Sequence, residues 1–387
     1  MNRTMIPYGK QDINQQDIDA VISVLNSDWL TQGPQVPLFE KTLADKCQAG
    51  FGIAVNSATS ALHIANLSLG VGKNDIVWTS PITFVATANS VLYCGATVDF
   101  VDVDLTSGNM SVIALEEKLK VAKKKNCLPK VVIPVHLAGQ SCEMKAIYHL
   151  AQVYNFSIIE DASHAIGGKY QNDLIGSCQY SDITIFSFHP VKIITSGEGG
   201  IALTNCKKLS SKMRQLRSHG ITSQPAEMTE LSHGPWYYQQ IDLGFNYRMT
   251  DLQAALGLSQ LSRLDEFILK RNEIAKTYNN AFKASDLIPL RPSENCLSAY
   301  HLYLVLLPEH YANKRKEIII ELRNQGVWAH VHYIPVHLQP YYQNLGFKLG
   351  DFPNAERYYQ RVISLPLFPL LSSDDQSYVI EQVNNLI

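Results

Sequence analysis

Lys192 stands in the run Ser187-Phe188-His189-Pro190-Val191-Lys192-Ile193-Ile194-Thr195-Ser196-Gly197-Glu198-Gly199-Gly200, just past the apolar stretch Ile183 to Phe186. A lysine does covalent chemistry only if its ammonium gives up a proton near neutral pH, which partial burial and a neighbouring carbonyl cofactor allow. Upstream, Phe156-Ser157-Ile158-Ile159 leads directly into Glu160-Asp161-Ala162-Ser163-His164. An aspartate so placed can protonate and hold a pyridine nitrogen. A Schiff-base lysine and a carboxylate at the ends of two strands are what pyridoxal phosphate asks of a protein.

Two further stretches follow apolar runs in the same way. After Val55 come Asn56-Ser57-Ala58-Thr59-Ser60, small and hydroxylic residues at a helix start, where free amides and the helix dipole favour a phosphate. An ordinary N-cap has the same composition. After Thr79 comes Ser80-Pro81-Ile82-Thr83-Phe84-Val85-Ala86-Thr87, which either lays the Phe84 ring on a flat cofactor or buries it in the core. In open α/β sheets ligands collect outside the carboxyl ends of the strands. One site therefore explains the four stretches better than four separate accidents.

The elements that must position these residues are legible as alternation. Short apolar runs at Gly52 to Val55, Ile76 to Thr79, Thr97 to Val103, Val131 to Val135, Ser157 to Ile159, Ile183 to Phe186 and Gly200 to Thr204 are separated by amphipathic segments. That pattern predicts an α/β fold with a large, mainly parallel sheet and helices on both faces. Leu261, Leu264, Phe267, Ile268, Arg271, Ile274 and Tyr278 share one helical face, predicting a long helix that leaves the large domain. The boundary falls there: residues 1–260 form a large α/β domain with an N-terminal segment, and 261–387 a small α+β domain. The small domain is expected to contain strands at Tyr300 to Leu307 and Val327 to Val331, a helix at Lys314 to Gln325, and helices from Asn354 and Ser373.

Composition narrows the partners. The 387 residues carry 33 basic and 35 acidic side chains, net charge -2, which gives no electrostatic footprint for nucleic acid or an anionic membrane. The seven cysteines are scattered and never spaced Cys-x-x-Cys, as in a reduced cytoplasm. No signal-peptide core or membrane-spanning run is seen, so a cytoplasmic enzyme is expected. No Gly-x-Gly-x-x-Gly follows the first strand and no metal-ligand spacing occurs, which argues against a nicotinamide dehydrogenase and a metal site. A regulatory protein that keeps the fold without turnover would need a DNA-binding module, and no helix-turn-helix extension or basic stretch is apparent.

Taken in order, Asn56 to Ala65, Thr83 to Asn89, Val135-His136-Leu137-Ala138-Gly139-Gln140, Glu160 to Ala165, the Lys192 segment and Gly244-Phe245-Asn246-Tyr247-Arg248-Met249-Thr250-Asp251 resemble the DegT/DnrJ/EryC1/StrS sugar aminotransferases over nearly the whole chain. The resemblance implies a pyridoxal 5'-phosphate-dependent transferase of fold type I, aspartate aminotransferase-like. Lys192 and Asp161 would be catalytic: Lys192 would bind the cofactor covalently, and Asp161 would hold its ring nitrogen. Phe84 would cover one ring face, and His164 would lie close. Ala58, Thr59, Ser60 and Ser187 would take the phosphate, with Asn246 reaching it from the second subunit of a homodimer. Tyr8, the turn Asp28-Trp29-Leu30-Thr31, and His330, Val331, His332 and Tyr333 resemble the groups that touch a nucleotide sugar, although packing accounts for them equally. Asn56 to Ser60, Gly234-Pro235-Trp236-Tyr237-Tyr238 and His330 to His337 tilt the resemblance toward the pseudaminic-acid branch. That branch implies glutamate as amino donor and C4 of a UDP-4-keto-6-deoxy-N-acetylhexosamine as acceptor. A UDP-4-keto-pentose, a GDP- or dTDP-keto-hexose, or a C3 ketone fits the same motifs.

Overall fold

The computed structural model describes residues 5–290, 292–293 and 295–387. Seven strands form the central sheet: β1 (Phe51–Val55), β2 (Ile76–Thr79), β3 (Thr97–Phe100), β4 (Val131–Ile133), β5 (Ser157–Asp161), β6 (Ile183–Ser187) and β7 (Gly200–Thr204). Their spatial order is β1-β7-β6-β5-β4-β2-β3. The pairs β2/β3, β2/β4, β4/β5 and β5/β6 are parallel, while β7 runs antiparallel to both of its neighbours. Five of the strands read from sequence are adjusted at their ends, β1 by starting one residue earlier at Phe51. Pro134 has no N–H to continue a ladder, so β4 stops at Ile133 rather than Val135. The chain leaves β3 after Phe100, and Val101 and Val103 are buried outside the strand. β5 extends to Asp161, which also bridges to Val135, and β6 extends to Ser187.

The strands read as nearly continuous apolar runs because helices cover both faces. Two helices precede the sheet, α1 (Gln15–Leu25) and α2 (Gln35–Cys47), and within it α3 (Ala58–Ser68) follows β1 and α4 (Val85–Tyr93) follows β2. Helices α5 (Val112–Lys124), α6 (Met144–Tyr154) and α7 (Lys207–Arg217) connect or follow later strands. Ile53, Val55, Ile64, Val77, Val131, Ile159 and Ile185 pack in one core layer, and Phe39, Phe186, Phe188, Ile201 and Phe267 in another.

The expected long helix is two helices, α8 (Asp251–Ser262) and α9 (Leu264–Ala281), meeting at Arg263. Arg263 and its neighbours are engaged elsewhere: the buried Asp17 of α1 accepts from Ser259 Oγ (2.6 Å), Gln260 Nε2 (2.7 Å) and Arg263 Nη2 (2.7 Å). In the C-terminal part a sheet joins Ile288–Pro289, Tyr303–Leu306 and Val362–Leu365, covered by α10 (Arg315–Asn324) and α11 (Ser373–Asn384). The strand expected at Val327 to Val331 does not form. Val327 makes a single bridge to Ile6 and His330 one to Ser364, so this stretch is a connector that buries Val327 and Ala329 and turns His330 toward the cavity described below. The N-terminal segment crosses to the C-terminal part, with Ile6 in its core and the Tyr8 carbonyl accepting from the Leu367 amide at 3.0 Å.

Candidate active site

The carboxyl ends of β1, β5 and β6 open onto a cavity of about 970 Å³. Gly200, the first residue of β7, pairs with both Val55 and Ser187, so those two strand ends lie side by side. A Cβ at Gly200 would come within 2.5 Å of the Ala58 nitrogen, which shows how closely the start of α3 crosses this strand. Ser57 caps that helix by accepting the Ser60 N–H at 3.1 Å. The amides of Ala58 and Thr59 remain without an acceptor among the described residues, and they point out of the helix start where its dipole is positive. With the hydroxyls of Thr59, Ser60 and Ser187 on the same cavity wall, this end suits a phosphate.

Asp161 lies at another wall, at the end of β5, and is 5% exposed. Its Oδ2 accepts from Thr87 Oγ1 at 2.7 Å, and its Oδ1 accepts from Ser163 Oγ at 2.6 Å and the Ser163 amide at 3.2 Å. Thr83 and Thr87 hydroxyls are 2.7 Å apart; because the Thr87 proton goes to the carboxylate, Thr83 donates to Thr87. Thr87 and Ser163 carried no assigned role in the sequence reading. The clue was their spacing: Thr83 lies just ahead of α4 and Thr87 in its first turn, four residues on, and Ser163 sits two residues past the aspartate.

Lys192 lines the cavity and is the sole lysine or arginine among the described residues that do. Burial lowers its pKa to about 8, and the charge of Asp161 limits the fall. Its turn is anchored from behind, since Ile193 and Ile194 are buried in the core and the Lys192 amide donates to the His189 carbonyl at 2.9 Å.

The connector from the C-terminal part closes the cavity. His164 Nδ1 accepts the Ala138 amide at 3.3 Å, so its proton sits on Nε2, which lies 3.0 Å from the Tyr333 hydroxyl and donates to it. Burial, then the charges of Lys192 and His332, hold the His164 pKa well below the ordinary imidazole value. His332 is lowered to about 3, by burial first and then by His330 and Lys192. The Tyr8 ring packs 5.4 Å from His330 and 5.3 Å from His332. Phe84 is 60% exposed at the cavity wall, 6.4 Å from the Tyr333 ring, and is not a core residue.

Of the residues singled out from sequence, Tyr8, Ala58, Thr59, Ser60, Phe84, Asp161, His164, Ser187, Lys192, His330, His332 and Tyr333 line this one cavity. The others do not. Val331 follows the connector but packs against the core, and Asn246 is exposed, its carbonyl accepting from Asn56 Nδ2 at 3.5 Å. Asp28, Trp29, Leu30 and Thr31 form an exposed turn beside the start of α8, where Thr31 bridges to Thr250. The sequence reading assigned no role to His301, which also lines the cavity.

A mainly parallel α/β sheet with a phosphate-suited helix start, a buried strand-end carboxylate and a lysine of depressed pKa around one cavity defines a pyridoxal-phosphate enzyme of fold type I. The chain belongs to the DegT/DnrJ/EryC1/StrS aminotransferase family, which it matches over residues 11–384. It is 41% identical over 386 residues to the spore coat polysaccharide biosynthesis protein SpsC of Bacillus subtilis, covering 99% of this chain and 97% of that one. It is 38% identical over 388 residues to the UDP-4-amino-4,6-dideoxy-N-acetyl-beta-L-altrosamine transaminase of Campylobacter jejuni, covering 99% and 98%. Among solved structures it is similar to Helicobacter pylori PseC, an aminotransferase involved in the biosynthesis of pseudoaminic acid, with a TM-score of 0.90 and 34% identity over 99% of each chain. It is a sugar aminotransferase, and its cofactor is pyridoxal 5'-phosphate.

Proposed function

We propose that this aminotransferase moves an amino group from glutamate to C4 of a UDP-4-keto-6-deoxy-N-acetylhexosamine, in the making of a pseudaminic-acid-type surface sugar, and that it works as a homodimer. The observation that carries the reading is the wall of Tyr8, His330, His332 and Tyr333 across the same cavity as Lys192 and Asp161. A wall of aromatic rings with polar edges suits a hydroxylated ring, and the full-length likeness to the C. jejuni and H. pylori proteins supports the particular sugar.

Bound pyridoxal phosphate supplies a ring that withdraws electrons from the carbon losing its proton. Ala58 and Thr59 amides with Thr59, Ser60 and Ser187 hydroxyls would anchor the phosphate. Asp161, oriented by Thr87 and Ser163, would hold the ring nitrogen, and Phe84 would cover one face. Lys192, displaced by the incoming amino acid, would carry the proton from the donor's alpha carbon. Its pKa near 8 leaves an accessible fraction of neutral amine at physiological pH. The same residues in reverse order would aminate the sugar ketone, giving ping-pong kinetics.

The likeness to the B. subtilis spore coat protein favours a second reading, in which the acceptor is a different nucleotide keto-sugar. One experiment separates them. Purified enzyme, loaded with cofactor and supplied with glutamate, is offered a panel of UDP-, GDP- and dTDP-linked keto-sugars, and products are read by mass spectrometry with the amination site placed by NMR. Selective amination at C4 of the UDP-4-keto-6-deoxy-N-acetylhexosamine is expected. Preference for another sugar overturns the first reading in favour of the second.

The homodimer is supported by exposed apolar side chains around the exposed Asn246 segment: Leu231 is 90% exposed, Trp236 76% and Leu243 75%. Patches of this kind mark association surfaces.

A further inference from the structure

Arg271 is 1% exposed in the middle of α9, and no carboxylate partners it among the described residues. Its Nη1 donates to three carbonyls, those of Tyr300 (3.1 Å), His301 (3.3 Å) and Leu367 (3.3 Å). Burial lowers its pKa to about 9, which still leaves it charged at neutral pH. A buried cation without a counter-ion projects a positive potential that low-dielectric surroundings do little to screen. In front of it stands His301.

His301 lines the cavity, is 4% exposed, and lies with its ring centroid 4.4 Å from that of His164. Its Nδ1 is buried with no hydrogen-bond partner among the described residues. The backbone around it is clamped: the Ala299 amide donates to the Gly139 carbonyl at 2.9 Å and the Leu302 amide to that of Ala138 at 3.4 Å. Gly139 has φ +97°, and a Cβ there would come within 2.8 Å of the Tyr300 nitrogen and 3.0 Å of the His301 nitrogen. Buried polar groups in folded proteins are nearly always paired. A ring held this firmly, with its hydrogen bonding unspent and one side on a cavity, is prepared for a ligand.

The type of ligand follows from charge. Burial first, then His164, Lys192 and Arg271, hold His301 neutral. In the tautomer that carries its proton on Nε2 the ring is a neutral donor in a region of positive potential, suited to an anionic oxygen. The cofactor phosphate has its own receiver at the start of α3. The anion left for this wall is one that a substrate brings close to the reacting carbon.

We propose that His301, backed by Arg271, receives a carboxylate of the amino-acid donor, a task for which the described residues lining the cavity include no arginine. The proposal rests on the reading that the donor is an amino acid and is independent of which sugar is aminated.

The test uses the cofactor-loaded enzyme. His301→Phe keeps the ring and removes both nitrogens; His301→Gln restores an N–H donor; His301→Leu decides in place of the first if that variant loses its fold or its cofactor absorbance. Binding of succinate, a non-reacting dicarboxylate, is measured by calorimetry. The first half-reaction is followed by stopped-flow absorbance with whichever of glutamate, glutamine, aspartate and alanine the parent turns over. His301→Phe is expected to weaken both succinate and the amino donor by about tenfold or more, the size of one hydrogen bond to a charged group. His301→Gln should return most of the loss, and kcat/KM for the keto-sugar should change by less than about threefold. Parental affinity for succinate and donor in a folded, loaded His301→Phe enzyme overturns the proposal, as does an equal loss for donor and sugar. Failure of the sugar assignment shows elsewhere, as an intact first half-reaction with no amination of the proposed UDP-sugar.

Discussion

Thr87 has one hydroxyl proton, and the geometry commits it to Asp161, with Thr83 supplying the next link. Removing that hydroxyl in Thr87→Val keeps the volume and leaves a buried carboxylate oxygen short of a donor, at a cost of about 1–3 kcal/mol. If Asp161 has the proposed role, kcat should fall by about one to two orders of magnitude while the protein stays folded, as judged by thermal melting and steady-state kinetics. Activity within about twofold of the parent would remove Thr87 from the machinery. Lys192 carries a pH dependence of definite sign. Its folded pKa is about 8 against an ordinary 10.5, so between those values the unfolded chain holds a proton that the folded chain lacks, and stability from this residue rises with pH across that window. In cofactor-free protein, capture of pyridoxal phosphate should accelerate roughly tenfold per pH unit up to about pH 8 and then level off. A profile that levels off only near 10.5 would show that Lys192 is not desolvated. At this scale the lysine and the aspartate were legible because each ends an apolar run. Thr87 was not, because its contact with Asp161 spans 74 residues of sequence. His301 was hidden inside a stretch, Tyr300 to Leu307, that reads as a plain strand, and the ladder begins only at Tyr303.

Among elements, the start of α3 and the start of β7 occupy nearly the same space, and glycine at position 200 makes this possible. Gly200→Ala would press a methyl group onto the backbone of Ser57 and Ala58, which cannot yield as a flexible side chain can. Overpacking of this sort costs typically 1–3 kcal/mol. The expected outcome is about a tenfold or greater loss of cofactor affinity in an absorbance titration, accompanied by a lower melting temperature. Parental values for both would mean that α3 has room to shift. The seven sheet strands were legible to within a few residues, since their apolar runs are bounded by turn residues and their ends by Pro134 and the polar site residues. The connector at Val327 to Val331 misled because its alternating apolar residues look like a strand; that alternation instead buries Val327 and Ala329 while turning His330 and His332 to the cavity. The break at Arg263 was invisible for a similar reason. Periodicity carries across it, and the interruption comes from a tertiary network with Asp12 and Asp17.

For the whole molecule, the proposed dimer gives Asn246 a purpose that a single chain does not: the residue is exposed and outside its own cavity. If it reaches the partner's phosphate, Asn246→Asp places a negative charge against the other subunit's site. Mixing inactive Lys192→Ala subunits with impaired Asn246→Asp subunits should then restore activity, because each heterodimer holds one site with both defects and one with neither. Confirmed heterodimers, seen by native mass spectrometry, without recovered activity would withdraw the shared-site reading.

The sheet order also sets a timetable. β1 lies at an edge and β7 is its one neighbour in the seven-stranded sheet, so the five strands β2 to β6 must be made before β1 has a ladder partner there. Non-local pairing of this kind is slow to form, and an unpaired apolar strand is prone to aggregate while it waits. During synthesis the phosphate-suited end of α3 therefore exists as sequence long before it exists as a site. A nascent chain stalled ahead of Gly200 should leave Phe51 to Val55 open to protease, and release of the stall past Thr204 should protect it. The first motif to leave the ribosome is among the last to become functional.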